Sequence, residues 1–445
     1  MQNNSQVARW SITVALAGFL FGFDTIVISG ADKPIQTLWQ TSSLFHGVFI
    51  MSMALWGTVI GALFGGIPCD AIGRKKTLFW IGILYFISAL GSGLAWDPYS
   101  FSFFRFIGGV GVGASSVAAP TYIAEISSPE RRGRLVALYQ FNLVLGILIA
   151  LLSNYFLGQY IQTDAWRWML GVEAIPAALY TIMVLTIPNS PRWLLVNQNA
   201  PEKAIPILAH MYPKESIDRV ISEIKQAGSK TALSIQALFS GKYRFALLLA
   251  FLVAAFNQLS GINFVFYYAP RLLEAAGIGA DAALFQSTSL GIVNLIFTII
   301  GLSLIDKLGR KTLLIIGSIG YIISLSTVSW AYYSSASQLL LLSFVLVFIA
   351  SHAIGQGAII WVFIAEIFPN EVRANGQAWG SGTHWVFAAL ITAITPSCIE
   401  FVGENPWPLF AFFASMMVLQ LLFSLFLMPE TKGKSLEQLE KEILS

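Results

Sequence analysis

Twelve stretches of predominantly apolar residues follow one another along the chain, each about twenty residues or longer and separated by short polar segments. Lipid offers no partner to a backbone amide or carbonyl, so runs of this length predict membrane-spanning helices. They cover 10–30, 46–68, 77–95, 99–126, 134–157, 166–187, 244–276, 284–306, 312–333, 338–367, 375–399 and 408–428. The first run follows Arg9 as a secretory leader would. It is nevertheless too long, lacks a small-residue cleavage site and contains Asp24, so it reads as a span. One longer hydrophilic stretch divides the spans six and six. Within it Ser190 precedes Pro191 as a cap-like helix start, and Ile217, Val220, Ile221 and Ile224 recur at helical spacing, which predicts short amphipathic helices. The expected organisation is an all-α membrane protein: a six-helix half over 1–187, a helical linker over 188–243, a second six-helix half over 244–428 and a tail over 429–445.

Composition narrows the class. The chain is 56% hydrophobic and 11% charged with a mean hydropathy of +0.71, far from the roughly 25% charged residues of a soluble domain. Two cysteines, Cys69 and Cys398, provide neither a disulfide framework nor a zinc site. The histidines show no ligand spacing and no Walker sequence is present, so neither metal nor cofactor nor enzymatic chemistry is expected. The run Gly108, Gly109, Gly111, Gly113 lies inside an apolar span and predicts close helix packing rather than dinucleotide binding. All lysines and arginines except Lys33, Arg105, Arg167 and Arg271 fall on one side of the predicted topology. By the positive-inside rule both termini are cytoplasmic, in an inner or plasma membrane. A monomer surrounded by lipid is expected, with no nucleic-acid partner.

The charged loops also repeat. Asp70, Gly73, Arg74 and Lys75 recur about half a chain later as Asp306, Gly309, Arg310 and Lys311; Ala124, Glu125, Ile126 and Arg132 recur as Ala365, Glu366, Ile367 and Arg373. Two homologous halves with substrate bound between them are a transporter design. The repeated ions are candidates for a cytoplasmic gate: Asp70, Arg74, Glu125, Arg132, Asp306, Arg310, Glu366 and Arg373, with pairs across the halves when that side is closed.

A charge at the bilayer centre costs at least about 2.5–3.5 kcal/mol on insertion scales, so intramembrane ions point to function. Asp24, Arg105 and Glu173 lie at similar predicted depth in the first half. An aspartate beside an arginine is held as the anion, and movement of the arginine changes its proton affinity, which is the chemistry of a proton switch. A static structural pair fits the same residues. The second half carries Asn257, Gln258 and Asn263 on span seven, Asn294 on span eight, Trp361 on span ten, and His384 and Trp385 on span eleven, while Gln140 adds an amide from the first half. Amides donate and accept as hydroxyls do, and indoles offer an apolar face with one donor, a set suited to an uncharged polyol.

These residues resemble the sugar porter family of the major facilitator superfamily, which includes proton-coupled xylose and arabinose symporters and facilitative glucose transporters. The resemblance runs through FGFDTIVISG from Phe21, GRKK at Gly73, RRGR at Arg131, PNSPR at Pro188, NQLSGINFVFYYAP at Asn257, DKLGRK at Asp306 and PETKG at Pro429. It implies a twelve-helix major facilitator fold. It implies that Gln140, Gln258, Asn263, Asn294, Trp361 and Trp385 contact a monosaccharide with Phe21 and Tyr267 nearby, and that Asp24 carries the coupled proton beside Arg105 with Glu173 assisting. Facilitative members have an uncharged residue at the position of Asp24, so its presence favours symport. Asn257, Ile147, Asn189, Gln356 and His384 depart from the family pattern and leave the sugar open between a hexose and a pentose, with a hexose favoured over xylose by a small margin. A uniporter with a structural Asp24, or a sugar sensor that does not transport, are the competing functions.

Overall fold

The structure, a computed structural model, describes residues 4–228, 235–239, 241–369, 371–403, 405–434 and 436–444. Among them, twelve helices are long and apolar enough to cross a membrane: Ser5–Trp39, Ser43–Phe64, Arg74–Gly93, Pro98–Glu125, Arg131–Tyr160, Ala165–Leu185, Arg244–Tyr267, Ala280–Leu308, Arg310–Tyr333, Gln338–Glu366, Arg373–Val402 and Trp407–Phe426. Most differ from the predicted spans by a few residues at an end. The first is much longer, because the helix continues through Gly30 and Pro34 to Trp39 and carries Asp32 and Lys33 with it. Span seven ends sooner than predicted, at Tyr267, and a separate short helix, Ala269–Ala275, follows it.

Between the sixth and seventh spans lie short helices Pro191–Val196, Pro201–Leu208 and Ile217–Gly228. Ser190 caps the first by accepting from the Trp193 amide. On the third, Ile217 is buried and Val220, Ile221 and Ile224 pack against the core. The predicted linker stretch also includes 229–234 and 240, which lie outside the described residues.

Small residues let the spans approach closely. A Cβ at Gly109 would fall 1.9 Å from the Ala54 carbonyl oxygen and one at Gly113 2.2 Å from that of Thr58, while Gly57 and Gly61 meet span four reciprocally. Gly109 and Gly113 therefore form the seam between spans two and four, while Gly108 and Gly111 of the same run face Ser88 and Leu84 of span three, as close helix packing requires.

Several spans are interrupted. Span two opens with a π-helical turn, His46–Met51. Span six is divided into Ala165–Gly171 and Ala174–Leu185, with Glu173 at the junction. Span seven breaks at Gly261, whose φ of +82° suits glycine and where a Cβ would strike the Phe413 ring. Span ten breaks at Gly355 into Gln338–Ile354 and Gln356–Glu366. Such breaks free backbone groups and redirect side chains, and in membranes they are tolerated where protein rather than lipid surrounds them.

Candidate functional site

The intramembrane ions meet in one buried cluster. Arg105 Nη1 donates to Asp24 Oδ1 at 2.6 Å, and Nη2 donates to the Asp24 backbone carbonyl at 2.9 Å. Asp24 is 1% exposed, Arg105 2% and Glu173 1%. The helix junction in span six sets Glu173 close enough to interact electrostatically with both. No donor reaches Asp24 Oδ2 or Glu173 Oε1, and Arg105 Nε is likewise unbonded, but the Asp24 and Glu173 carboxyl groups lie within hydrogen-bonding reach of one another, a contact that needs a proton on one of them. Gly108 leaves room for this crowding, since a Cβ there would sit 2.2 Å from Ser88 Oγ and 3.4 Å from Asp24 Oδ1. A carboxylate with one oxygen held and one unoccupied can exchange a proton without losing its arginine.

The amides and aromatics gather beside it. Phe21 of span one faces Trp385 of span eleven with ring centroids 5.6 Å apart, and His384 lies between Trp361 at 4.9 Å and Trp385 at 4.6 Å. Gln258 Oε1, Asn263 Nδ2, Tyr267 Oη and Trp385 Nε1 are buried without partners. Buried polar groups are nearly always satisfied, and these four keep their bonding capacity for a polar molecule. Tyr267 also lies within electrostatic range of Asp24 and Arg105, which joins the two clusters. Asn294 is buried, Gln140 half-buried and Trp361 38% exposed.

The repeated ions form two matching knots on the face that carries the termini. Arg74 bonds Glu125 at 3.1 Å, Asp70 at 3.0 Å and the Cys69 carbonyl at 3.0 Å. Arg310 bonds Glu366 at 2.8 Å, Asp306 at 3.1 Å and the Ile305 carbonyl at 3.2 Å. Ser190 donates to Glu125 as Thr431 does to Glu366. The repeat is thus preserved at the level of single hydrogen bonds. Glu430 accepts from the Arg310 and Lys311 amides at the start of span nine. Burial pushes its carboxyl pKa up, but these amides and those of Lys432 and Thr431 outweigh it and hold it below the usual glutamate range. Burial likewise pushes the Cys69 thiol, at the loop between spans two and three, up to about 11, which leaves it unreactive. Arg132 and Arg373 bond carbonyls of their own segments, those of Ala124 and Phe368.

These knots lie within each six-span set, not across them. Among the described residues the ion pairs that join the two sets are at the opposite face, among residues the sequence had not marked as a site. Arg271 grips Asp32 through Nε to Oδ2 at 2.7 Å and Nη2 to Oδ1 at 2.9 Å, with Gln36 accepting at 2.6 Å. His46 Nε2 donates to Asp32 Oδ1 at 2.8 Å, and its Nδ1 meets Thr41 Oγ1 at 3.0 Å. Lys33 pairs with Glu274. Gly47 packs against the Ala393 carbonyl, where a Cβ would be 1.9 Å away. This face is closed, which accounts for the knots at the other face remaining internal to their own sets.

Comparison with known proteins agrees with this geometry. The sugar (and other) transporter family matches residues 10–443. The chain belongs to that family of membrane transporters. It is similar to the glucose transport protein of Synechocystis (37% identical, covering 96% of this chain and 95% of that protein). It is also similar to the D-xylose-proton symporter of Escherichia coli K12 (32%, covering 98% and 96%) and the arabinose-proton symporter of Bacillus subtilis (34%, covering 97% and 94%). The partially occluded inward-open structure of the E. coli xylose transporter superposes with a TM-score of 0.86 at 31% identity, covering 97% of this chain and all of that one. The same transporter bound to 6-bromo-6-deoxy-D-glucose, a major facilitator superfamily proton:xylose symporter, gives 0.81 at 31% identity, covering 99% and 100%. The fold is therefore the major facilitator fold.

Proposed function

We propose that this transporter carries a monosaccharide together with a proton, by alternating access between residues 1–187 and 244–428. The buried Asp24–Arg105 pair, whose second carboxylate oxygen no donor reaches, set beside unpaired amide and indole groups, is the observation that carries the reading. In it Asp24 takes up the proton, Arg105 sets its affinity and Glu173 assists. Gln140, Asn257, Gln258, Asn263, Asn294, Trp361, His384 and Trp385 receive the sugar, with Phe21 and Tyr267 beside it. Neutral amides and indoles suit an uncharged polyol because they leave no spare charge to neutralise. The face rich in lysine and arginine is cytoplasmic, in a bacterial-type inner membrane. Its eight repeated ions act as a gate whose partners exchange between halves as that side closes.

The test is proton movement in de-energised vesicles containing the purified protein. Adding substrate outside is expected to raise external pH as labelled sugar enters. Sugar entry at constant pH would establish a uniporter instead. A panel of labelled pentoses, hexoses and inositol identifies the substrate.

Gln258→Ala and Asn263→Ala each remove one hydrogen-bonding group from a buried site, at about 1–3 kcal/mol. Each is expected to weaken sugar binding by about ten-fold or more in calorimetry, with the thermal transition retained. Unchanged affinity in both variants would remove these residues from the site.

A further inference from the structure

The sequence departs from its family at Gln356, which stands between Gly355 and Gly357 where the family pattern has a proline. The structure gives this glutamine a role that extends the sugar-binding reading above. Gln356 is fully buried just after the break in span ten. Its Nε2 donates to Gln420 Oε1 of span twelve at 2.8 Å and to the Val253 carbonyl at 3.4 Å. Gln420 Nε2 in turn donates to Ser318 Oγ of span nine at 2.8 Å, and Ser318 Oγ donates to the Leu314 carbonyl at 2.7 Å. On the other side Asn257 Nδ2 donates to Gln356 Oε1, the longest step at 3.5 Å, and Gln258 Nε2 donates to Asn257 Oδ1 at 3.0 Å.

The chain has one direction. A backbone carbonyl only accepts, so the Gln356 nitrogen that faces the Val253 carbonyl must donate, and the Ser318 hydroxyl, which donates to the Leu314 carbonyl, accepts from Gln420. That turns the Gln420 oxygen toward Gln356, whose amide nitrogen is fixed a second time by the Val253 carbonyl. The Gln356 oxygen then faces Asn257, and the Asn257 oxygen faces Gln258. Gln258 is left with its nitrogen engaged and its oxygen free, and Oε1 is the atom found buried without a partner. The nitrogen also lies 3.2 Å from His384 Nε2, which accepts from it in the matching tautomer.

We infer that Gln356 and Gln420 are positioning residues that fix the polarity of Gln258, so that the site requires a sugar hydroxyl to donate to the Gln258 oxygen. Neither side chain touches the sugar. Their effect is on which sugar derivative is accepted, not on how much protein is folded.

The test measures binding of D-glucose, D-xylose and their monodeoxyfluoro derivatives by calorimetry on the full-length protein in detergent. Fluorine replaces a hydroxyl at nearly constant size but cannot donate. In the unaltered protein, fluorine at one ring position is expected to weaken binding by about ten-fold or more relative to the parent sugar, because a buried acceptor is left unpaired. Gln356→Leu releases Asn257 and lets the Gln258 amide turn its nitrogen outward, with His384 exchanging tautomers. The penalty at that position is expected to fall to about three-fold or less. Gln356→Glu restores it, since a buried protonated carboxyl donates to Gln420 and accepts from Asn257. A merely structural role would lower affinity for parent and derivative alike and leave their ratio unchanged. A full fluorine penalty in Gln356→Leu, or no position with a penalty in the unaltered protein, overturns the inference. Where the labelled panel identifies another pentose or hexose, that sugar and its monodeoxyfluoro derivatives replace those of glucose and xylose; if no pentose or hexose binds the unaltered protein, the monosaccharide reading falls, and this inference with it.

Discussion

Vesicles containing the Asp24→Asn variant are expected to exchange sugar across the membrane at a rate near that of the unaltered protein, yet to accumulate none against a gradient. With one proton per sugar, a difference of about two pH units supports roughly 100-fold accumulation, since each unit is worth about 1.4 kcal/mol. The variant should show a ratio of about one. The reason lies in what the amide keeps. Its side-chain oxygen would still accept from Arg105 Nη1, and the backbone carbonyl at this position still accepts from Nη2, so the arginine retains both its acceptors. What is lost is the second carboxylate oxygen, which no donor reaches and which can take up a proton beside the Glu173 carboxyl. The variant is thus fixed in the neutral state. If the pair were only structural, an uncompensated buried arginine would depress folding and exchange together. Measuring both activities in one reconstituted sample separates the two. Uphill accumulation retained in the variant would remove Asp24 from coupling and leave Glu173 as the candidate.

The number of spans was legible because lipid forces every backbone group to be satisfied within a helix, which leaves an apolar run of a defined minimum length. Depth along those runs brought Asp24, Arg105 and Glu173 to one level before any contact was known. The breaks at Glu173, Gly261 and Gly355 were not legible, because glycine in a membrane helix serves packing as often as bending, as Gly109 and Gly113 do. The repeated ions could be matched between halves, but an offset does not say whether Arg74 meets a partner in its own half or the other. That choice belongs to the conformation. The Asp32–Arg271 contact was missed for a plainer reason. Asp32 lies beyond the predicted end of span one at residue 30, and Arg271 fell inside span seven as drawn and counted only as an exception to the charge rule. Two unlike charges at the same level of spans one and seven were the available signal.

Arg271→Ala is expected to open the face that this pair closes. Asp32 is 1% exposed and takes both guanidinium bonds from across the interface, so removing the arginine leaves a buried carboxylate with only His46. Breaking one side of a fully buried pair costs about 3–5 kcal/mol. Arg271 retains some exposure, and a hollow of about 410 Å³ bounded by Lys33, Arg271 and Glu274 admits water, so the expected effect is smaller, about 1.5–2 kcal/mol. That cost falls only on the state in which the two halves meet at this face, because in the opposite state Asp32 is free to hydrate. A differential energy of this size shifts the ratio of the two states by about ten- to thirty-fold. Spin labels on Leu38→Cys and Leu339→Cys, at the ends of spans one and ten on this face, report it in a background lacking Cys69 and Cys398. The longer distance should grow from a minor to a major population. Asp32→Asn combined with Arg271→Gln should shift it less than Arg271→Ala alone, since no charge is then left buried without its partner. An unchanged distance distribution in Arg271→Ala would mean that the packing of Gly47 against Ala393, rather than the ion pair, holds this face closed.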